Sequence, residues 1–296
     1  MSAEESLAEG RLDQALSQLQ DQVRNDPSNS KYRTFLFQLL ALMGQWERAL
    51  TQRTVRKDMD VRCLPRVQRS SQAIPCELFR REVFRGLKSP LIFGDPDPWV
   101  AQLVESLRLG ARGDRKESRA LQENAFAAAP ATPGTLNQEP FEWIADGDTR
   151  LGPILEAIIH GRYFWVPFHC IEKIRIEEPA DLRDQVWMPA FFTWANQGET
   201  VGLIPTRYAG SEDHVDSGIR SARKTEWVEM EGDMFHGLGQ KMFATDAGDY
   251  ALMNIRSVFF ETTGKGRDPA DMGNVSGGPP ADAGPDSGSP AESHDG

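Results

Sequence analysis

Gly10-Arg11-Leu12-Asp13-Gln14-Ala15-Leu16 and Gly44-Gln45-Trp46-Glu47-Arg48-Ala49-Leu50 lie 34 residues apart and repeat a Gly, a large apolar residue, an Ala and a Leu in one order. A period of 34 is that of the tetratricopeptide unit, a pair of helices that stacks on its neighbours. In such a unit Gly closes the turn between the helices, the large residue anchors the second helix, and Ala lets the two approach closely. Gly113-Asp114-Arg115-Lys116-Glu117-Ser118 is a third echo, with Ser in the place of Ala. Pro27 and Pro130 each follow the small residue of their unit by 12 positions, where the second helix should stop.

Working outward, helices are expected over Leu12 to Val23, Lys31 to Met43, Trp46 to Lys57, Ser71 to Arg85, Pro98 to Leu109 and Arg115 to Ala128. The first unit leaves almost no room for a helix ahead of Gly10. The stretch from Arg53 to Lys88 is strongly basic and holds Pro65 and Pro75, so it reads as an irregular helix start or exposed linker with a solvated face.

Past Pro140 the composition turns aromatic and β-branched. Tyr163 to Phe168 and Ile171 to Ile176 read as adjacent strands. Val186 to Trp194 and Thr200 to Ile204 read as a hairpin closed by Asn196-Gln197-Gly198. Lys224 to Glu229, Met234 to Ala244 and Tyr250 to Phe260 complete six or seven antiparallel strands, enough for a curled sheet or half-open barrel. One short helix, Gly152 to Ile159, is expected to open this part. Thr206 to Arg223 reads as a long polar loop, either a mobile binding element or disordered. From Gly264 onward 17 of 33 residues are Gly, Pro or Ser, too little apolar surface to offset chain entropy. The expected class is thus α+β: a TPR-like helical domain over 1–135, a small antiparallel β domain over 136–262, and a disordered acidic tail over 263–296.

The chain has 296 residues, 39% of them hydrophobic, which is enough to build a packed core. Its formal charge of -11 argues against nucleic acid or an anionic membrane as the main partner. Cys63, Cys76 and Cys170 are too few and too irregular for a disulfide framework or structural zinc site, which fits a reduced cytoplasmic setting. No signal peptide is visible, and the longest apolar run, Phe35 to Met43, is far short of a membrane span.

Walker A, Rossmann, zincin and nucleophile-elbow signatures are absent, and no cofactor is expected. His169 and Cys170 lack a companion pair at ligand spacing and read as structural. Glu142, Asp146 and Asp148 form the most enzyme-like constellation, able in principle to shift one another's pKa or to hold a hard cation. The competing reading has Asp148 or Thr149 capping the helix near Gly152 and Asp146 pairing with Arg150 or Arg162. Trp187 and Trp194 stand an odd number of positions apart, so a regular strand sends them to opposite faces, one into the core and one outward.

Arg33-Thr34-Phe35-Leu36-Phe37-Gln38-Leu39-Leu40, Pro140-Phe141-Glu142-Trp143-Ile144-Ala145-Asp146, Gly161-Arg162-Tyr163-Phe164-Trp165-Val166-Pro167-Phe168, Val186-Trp187-Met188-Pro189-Ala190 and Gly202-Leu203-Ile204-Pro205-Thr206-Arg207-Tyr208 resemble the ImpE family, also called TagJ or SciE-type, of bacterial type VI secretion accessory proteins. The resemblance covers about residues 7 to 260 and departs from the family pattern at Arg53 to Pro75. It implies a non-enzymatic cytoplasmic factor that binds the N-terminal helix of the small contractile-sheath subunit. Through that contact it would influence sheath assembly or recycling by the AAA+ unfoldase of the system. Helical repeats offer a groove for an amphipathic helix. The repeat frame puts Thr34, Gln38, Ala41, Leu42, Val100, Leu103 and Leu107 on its inner faces as the expected partner-binding residues. Phe35, Leu39, Trp46 and Ala49 are expected in the hairpin core. The alternative is a metal-dependent or acid-base enzyme module built on Glu142, Asp146 and Asp148.

Overall fold

The computed structural model describes residues 2–54, 64–95, 97–230, 232 and 234–261. Cys63, residues 55–63 of the basic stretch and the tail expected over 263–296 lie outside the described residues. The chain begins with helices: α1 (Ala3–Ala8), α2 (Leu12–Asn25), α3 (Ser30–Leu42), α4 (Trp46–Thr54), α5 (Leu64–Phe84), α6 (Pro98–Arg112) and α7 (Arg115–Ala128). Neighbouring helices pack in sequence, and the most extensive pairing is that of α6 with α7, joined through Gly113 and Asp114.

The sequence reading left almost no room for a helix before Gly10, yet α1 occupies it. Its six residues are held by a reciprocal cap, the Ser2 hydroxyl accepting from the Glu5 amide and the Glu5 carboxylate accepting from the Ser2 amide. Helix α5 starts earlier than expected, with Pro65 in its first turn, where a missing N–H costs little. The expected solvated face fails for the later part of that helix: Ile74 and Val83 are fully buried, and Arg80 is 3% exposed.

The rest is mainly strands: β1 (Leu91–Ile92), β2 (Gly134–Leu136), β3 (Glu139–Phe141), β4 (Ile144–Asp146), β5 (Ile154–Ile159), β6 (Arg162–Pro167), β7 (Ile171–Ile176), β8 (Trp187–Trp194), β9 (Glu199–Pro205), β10 (Thr225–Met230), β11 (Met234–Gly239), β12 (Met242–Thr245), β13 (Gly248–Ala251) and β14 (Ser257–Phe260). The main sheet runs β1-β6-β5-β9-β8-β7-β14-β2-β3, with β13-β12-β4 and β10-β11 as smaller sheets. It is therefore larger than the expected small antiparallel unit, and it is mixed. Leu91 and Ile92, from between α5 and α6, pair in parallel with Phe164 and Trp165, so the helical part supplies an edge strand to the sheet.

Three local expectations are corrected. Ile154 to Ile159 is strand β5 and not a helix, because the run is buried on both faces and hydrogen-bonds to β6 and β9. Strands β6 and β7 are not neighbours: a 3-10 turn over Phe168–Cys170 redirects the chain, and β6 pairs with β5 while β7 pairs with β8 and β14. The segment Thr206 to Arg223 is no loose loop, since Thr206, Tyr208, Ser211 and Ile219 are buried and it carries a 3-10 turn and the short helix α8 (Ser217–Arg220). The expected long strands Met234 to Ala244 and Tyr250 to Phe260 are each broken in two.

Side chains alternate across the main sheet into two cores. Trp187, Leu203, Ile154, Ile158, Tyr163 and Trp165 face the helices and join their core. Met188, Phe192, Trp194, Leu155, Ile174 and Val258 face the opposite way with Phe243, Leu252 and Ile255 from the segment that covers that side. Trp187 and Trp194 do take opposite faces, and both are buried because both faces are covered at those points.

Candidate functional site

The strap Thr206 to Arg223 crosses the turns of the first two helical units. Gly10 and Gly44 have φ of +78° and +67°, the left-handed values such turns need. They also have a second neighbour: a Cβ on Gly10 would stand 2.8 Å from Ser217 Oγ, and one on Gly44 2.7 Å from Glu212 Cγ. The Arg207 guanidinium donates to the Leu42 carbonyl at the end of α3 (2.6 Å) and to the Arg220 carbonyl, and Arg223 donates to the Ala8 carbonyl (3.2 Å). Arg81 pairs with Glu212 at 2.9 Å.

Beneath the strap, α5 and β5 bring together a buried ionic centre. Arg80 meets Glu156 through two parallel bonds of 2.6 and 2.8 Å, and its Nη2 also donates to the Arg207 carbonyl at 2.9 Å. Lys241, between β11 and β12, reaches Glu156 at 3.0 Å and Asp146 at 2.5 Å. The Tyr163 hydroxyl donates to Glu156 at 2.5 Å and accepts from Trp165 Nε1 at 2.9 Å. Trp187 Nε1 donates to Glu77 at 2.9 Å. Asp148 pairs with Arg150 two residues on and accepts from the Gly237 amide at 3.0 Å. A cation and further donors on each of these carboxylates are what make so many buried charges tolerable.

Protonation follows from the geometry. Burial alone would raise Glu156, but the Arg80 and Lys241 charges overcome it and hold the carboxyl well below the usual range. Asp146, for which burial outweighs the help from Lys241, is pushed up to about 6. Burial also raises Glu77, while Arg150 overcomes burial to keep Asp148 low. Burial and the nearby Arg150 charge push His236 down to about 4.

Glu142, Asp146 and Asp148 are not one cluster. Glu142 is exposed, with its amide on Asp246, whereas Asp146 and Asp148 are buried, each with its own cation. The helix that Asp148 might have capped is strand β5, and the partner of Asp146 is Lys241 rather than Arg150 or Arg162. Among the described residues no group of three or more His, Cys, Asp or Glu is placed to hold a metal ion. His169 lies 3.3 Å from Asp97, and the Cys170 thiol is pushed up to about 11 by burial first and by Asp97 and Asp95 next.

Of the residues expected to line a partner groove, Ala41, Leu42, Val100, Leu103 and Leu107 are buried in the core shared by helices and sheet, and Thr34 and Gln38 are half-buried. Leu182, in the 3-10 turn Leu182–Gln185, packs against that core, and α3 lies against this turn. The expected core residues Leu39, Trp46 and Ala49 are buried, and Phe35 is half-buried. Sequence reasoning missed Arg80, Glu156, Lys241 and Tyr163. The available signal was a lone Glu156 inside the apolar run Ile154 to Ile159, which a buried strand tolerates only opposite a cation.

Residues 138–259 match the family model described as ImpE protein. The type VI secretion system accessory component TagJ of Pseudomonas aeruginosa is 51% identical over 263 residues, covering 89% of this chain and 92% of that protein. The crystal structure of protein VPA1032 from Vibrio parahaemolyticus shares the fold, with a TM-score of 0.79 over 90% of this chain and 98% of the other, at 22% identity. Among the described residues no helix is long and apolar enough to cross a membrane. A relative of this identity, matched over nearly its whole length, leaves one conclusion: the chain belongs to the ImpE/TagJ family.

Proposed function

We propose that the chain is a non-enzymatic, cytoplasmic accessory protein of a type VI secretion system. In this reading it binds the N-terminal helix of the small contractile-sheath subunit and so modulates sheath assembly or its recycling by the AAA+ ATPase. The observation that carries the reading is the 51% identity to an accessory component over most of the chain. The helical pairs with their 34-residue repeat support it, since stacked TPR-like units take helical segments as ligands. The ionic centre supports the absence of catalysis: Asp146, Asp148 and Glu156 each answer a buried cation and are held as parts of the scaffold. No nucleic acid, membrane or cofactor enters this function.

The repeat frame proposes docking along the inner faces of α3 and α6. Thr34 and Gln38 are the positions there that a partner reaches without displacing core side chains. The test is a titration of the full chain with a labelled peptide of the N-terminal helix from the small sheath subunit of the same secretion system. Saturable binding supports the reading, and no binding by a folded chain rejects it.

A further inference from the structure

The 34-residue repeat extends to the hydrogen bonds of its turns. In the first turn the Gly10 amide donates to the Leu7 carbonyl and the Arg11 amide to Ser6. In the second, the equivalent Gly44 and Gln45 amides donate to Ala41 and Leu40. The two turns close alike, and each leaves the last carbonyl of its first helix, Ala8 of α1 and Leu42 of α3, to a donor from outside the unit. The strap supplies both donors: Arg223 reaches Ala8 at 3.2 Å and Arg207 reaches Leu42 at 2.6 Å. A guanidinium brings to each helix C-terminus the charge that this end favours. Ser217 and Glu212 then stand against the equivalent glycines, Gly10 and Gly44. One strap makes the same pair of contacts in each unit.

The strap itself is fixed to the sheet at both ends. The Tyr208 amide donates to the Gly239 carbonyl at 2.9 Å, and the Gln240 side chain donates to Ala222 at 2.8 Å. The first unit needs such a hold, because α1 has six residues, too few for a helix to stand alone. The third unit gives the contrast. Its Gly113 and Asp114 amides close the turn on Gly110 and Leu109 in the same way, yet a Cβ on Gly113 would meet open space. Its first helix, α6, has 15 residues and packs along α7 without a strap across the turn.

From this equivalence we infer that Arg207 and Arg223 are positioning residues for the partner site: by tying the same carbonyl of two units to one strap, they fix α1 and α2 against α3. The inference rests on the proposed function, in that docking runs along α3, and it names what sets that surface. Gln38 stands one turn ahead of Leu42, and Thr34 two turns, on the helix whose end Arg207 holds. A surface ordered before docking spares the complex the cost of ordering it. Released from the strap, the same side chains bind more weakly although the core behind them is intact.

The test uses the full chain with R207K, R223A and the double variant, reading amide hydrogen exchange and affinity for the labelled sheath-subunit peptide. In the double variant, exchange in α1 and α2 is expected to be about tenfold faster or more, with the strands of the main sheet unchanged and peptide affinity about fivefold weaker or more. A crosslink supplies the rescue, since Ser217 Cβ lies 3.8 Å from where a Cβ on Gly10 would stand, within the span of a disulfide. In an R223A chain that also carries C63S, C170S, G10C and S217C, the oxidised form should bind more tightly and exchange more slowly in α1 and α2 than the reduced form. Should R207K fail to fold, R223A and its crosslinked form carry both readouts. Parent-like exchange in α1 and α2, parent-like affinity in the released variants, or affinity indifferent to the crosslink overturns the inference and leaves the proposed function standing. Absence of binding by the parent chain overturns both.

Discussion

Arg80 and Glu156 meet across the junction of helix and sheet with two parallel hydrogen bonds, neither side chain open to solvent. Because Lys241 also binds Glu156, one carboxylate ties together α5, β5 and the link between β11 and β12. Removing Arg80 leaves the buried centre short of one positive charge and strands an acceptor site on each Glu156 oxygen and the Arg207 carbonyl. Arg80→Ala is expected to cost roughly 3–5 kcal/mol of unfolding free energy, read from denaturant curves, with the slope unchanged. A loss below about 1 kcal/mol would show that water repairs the gap.

Asp146 gives a pH signature of definite sign. The folded chain holds this proton up to about pH 6, whereas the unfolded chain releases it near the ordinary value of 3.8. Between these limits the folded state binds more protons, so this group's contribution to stability is full below 3.8 and is lost as pH rises through 6. Stability measured against Asp146→Asn should thus decline from pH 4 to pH 7. A difference that stays flat or rises over that window would contradict the assignment.

Two glycines separate turn conformation from close approach. Gly113 has φ of +92° with open space around a would-be Cβ, whereas Gly44 adds contact with the Glu212 side chain. Gly113→Ala should lose about 1 kcal/mol for backbone strain alone. Gly44→Ala should lose a further 1–3 kcal/mol or so, because Glu212 is fixed by Arg81 and cannot step aside freely. Equal losses at the two sites would mean that the strap yields.

Cys76 is a reporter of opening. Its thiol donates to the Gly161 carbonyl at 3.1 Å and is pushed up to about 12 by burial first and by Glu77 next. In a chain carrying Cys63→Ser and Cys170→Ser, a thiol reagent at pH 8 should label Cys76 only as fast as the junction opens. Arg80→Ala should speed that labelling. Rapid labelling of the parent chain would place the thiol outside the packed junction.

The helical order was legible because apolar spacing, Gly turns and Pro stops agree along the first 130 residues, and α2, α3, α6 and α7 begin within a residue of expectation. Strand β5 misled because a continuous apolar run looks alike in a buried helix and in a buried strand, and only its pairing with β6 and β9 decides. The ionic centre was hidden for another reason. Arg80, Asp146, Glu156 and Lys241 are spread over more than half the chain, and each alone resembles an ordinary surface charge. The strap was misread from polarity, because its Arg207 and Ser211 are polar toward buried carbonyls and amides rather than toward water.

The spacing of that centre along the chain also sets a clock. Arg80 leaves the ribosome well ahead of Glu156, and Lys241 comes later still. At 5–20 residues per second the interval from Arg80 to Lys241 is roughly 8–30 s. For that time α5 carries a cation with no burial site and an apolar face whose covering sheet is not yet synthesised. The nascent helices are thus open to chaperones, or to a partner already assembled nearby, until the final strands arrive and close the junction.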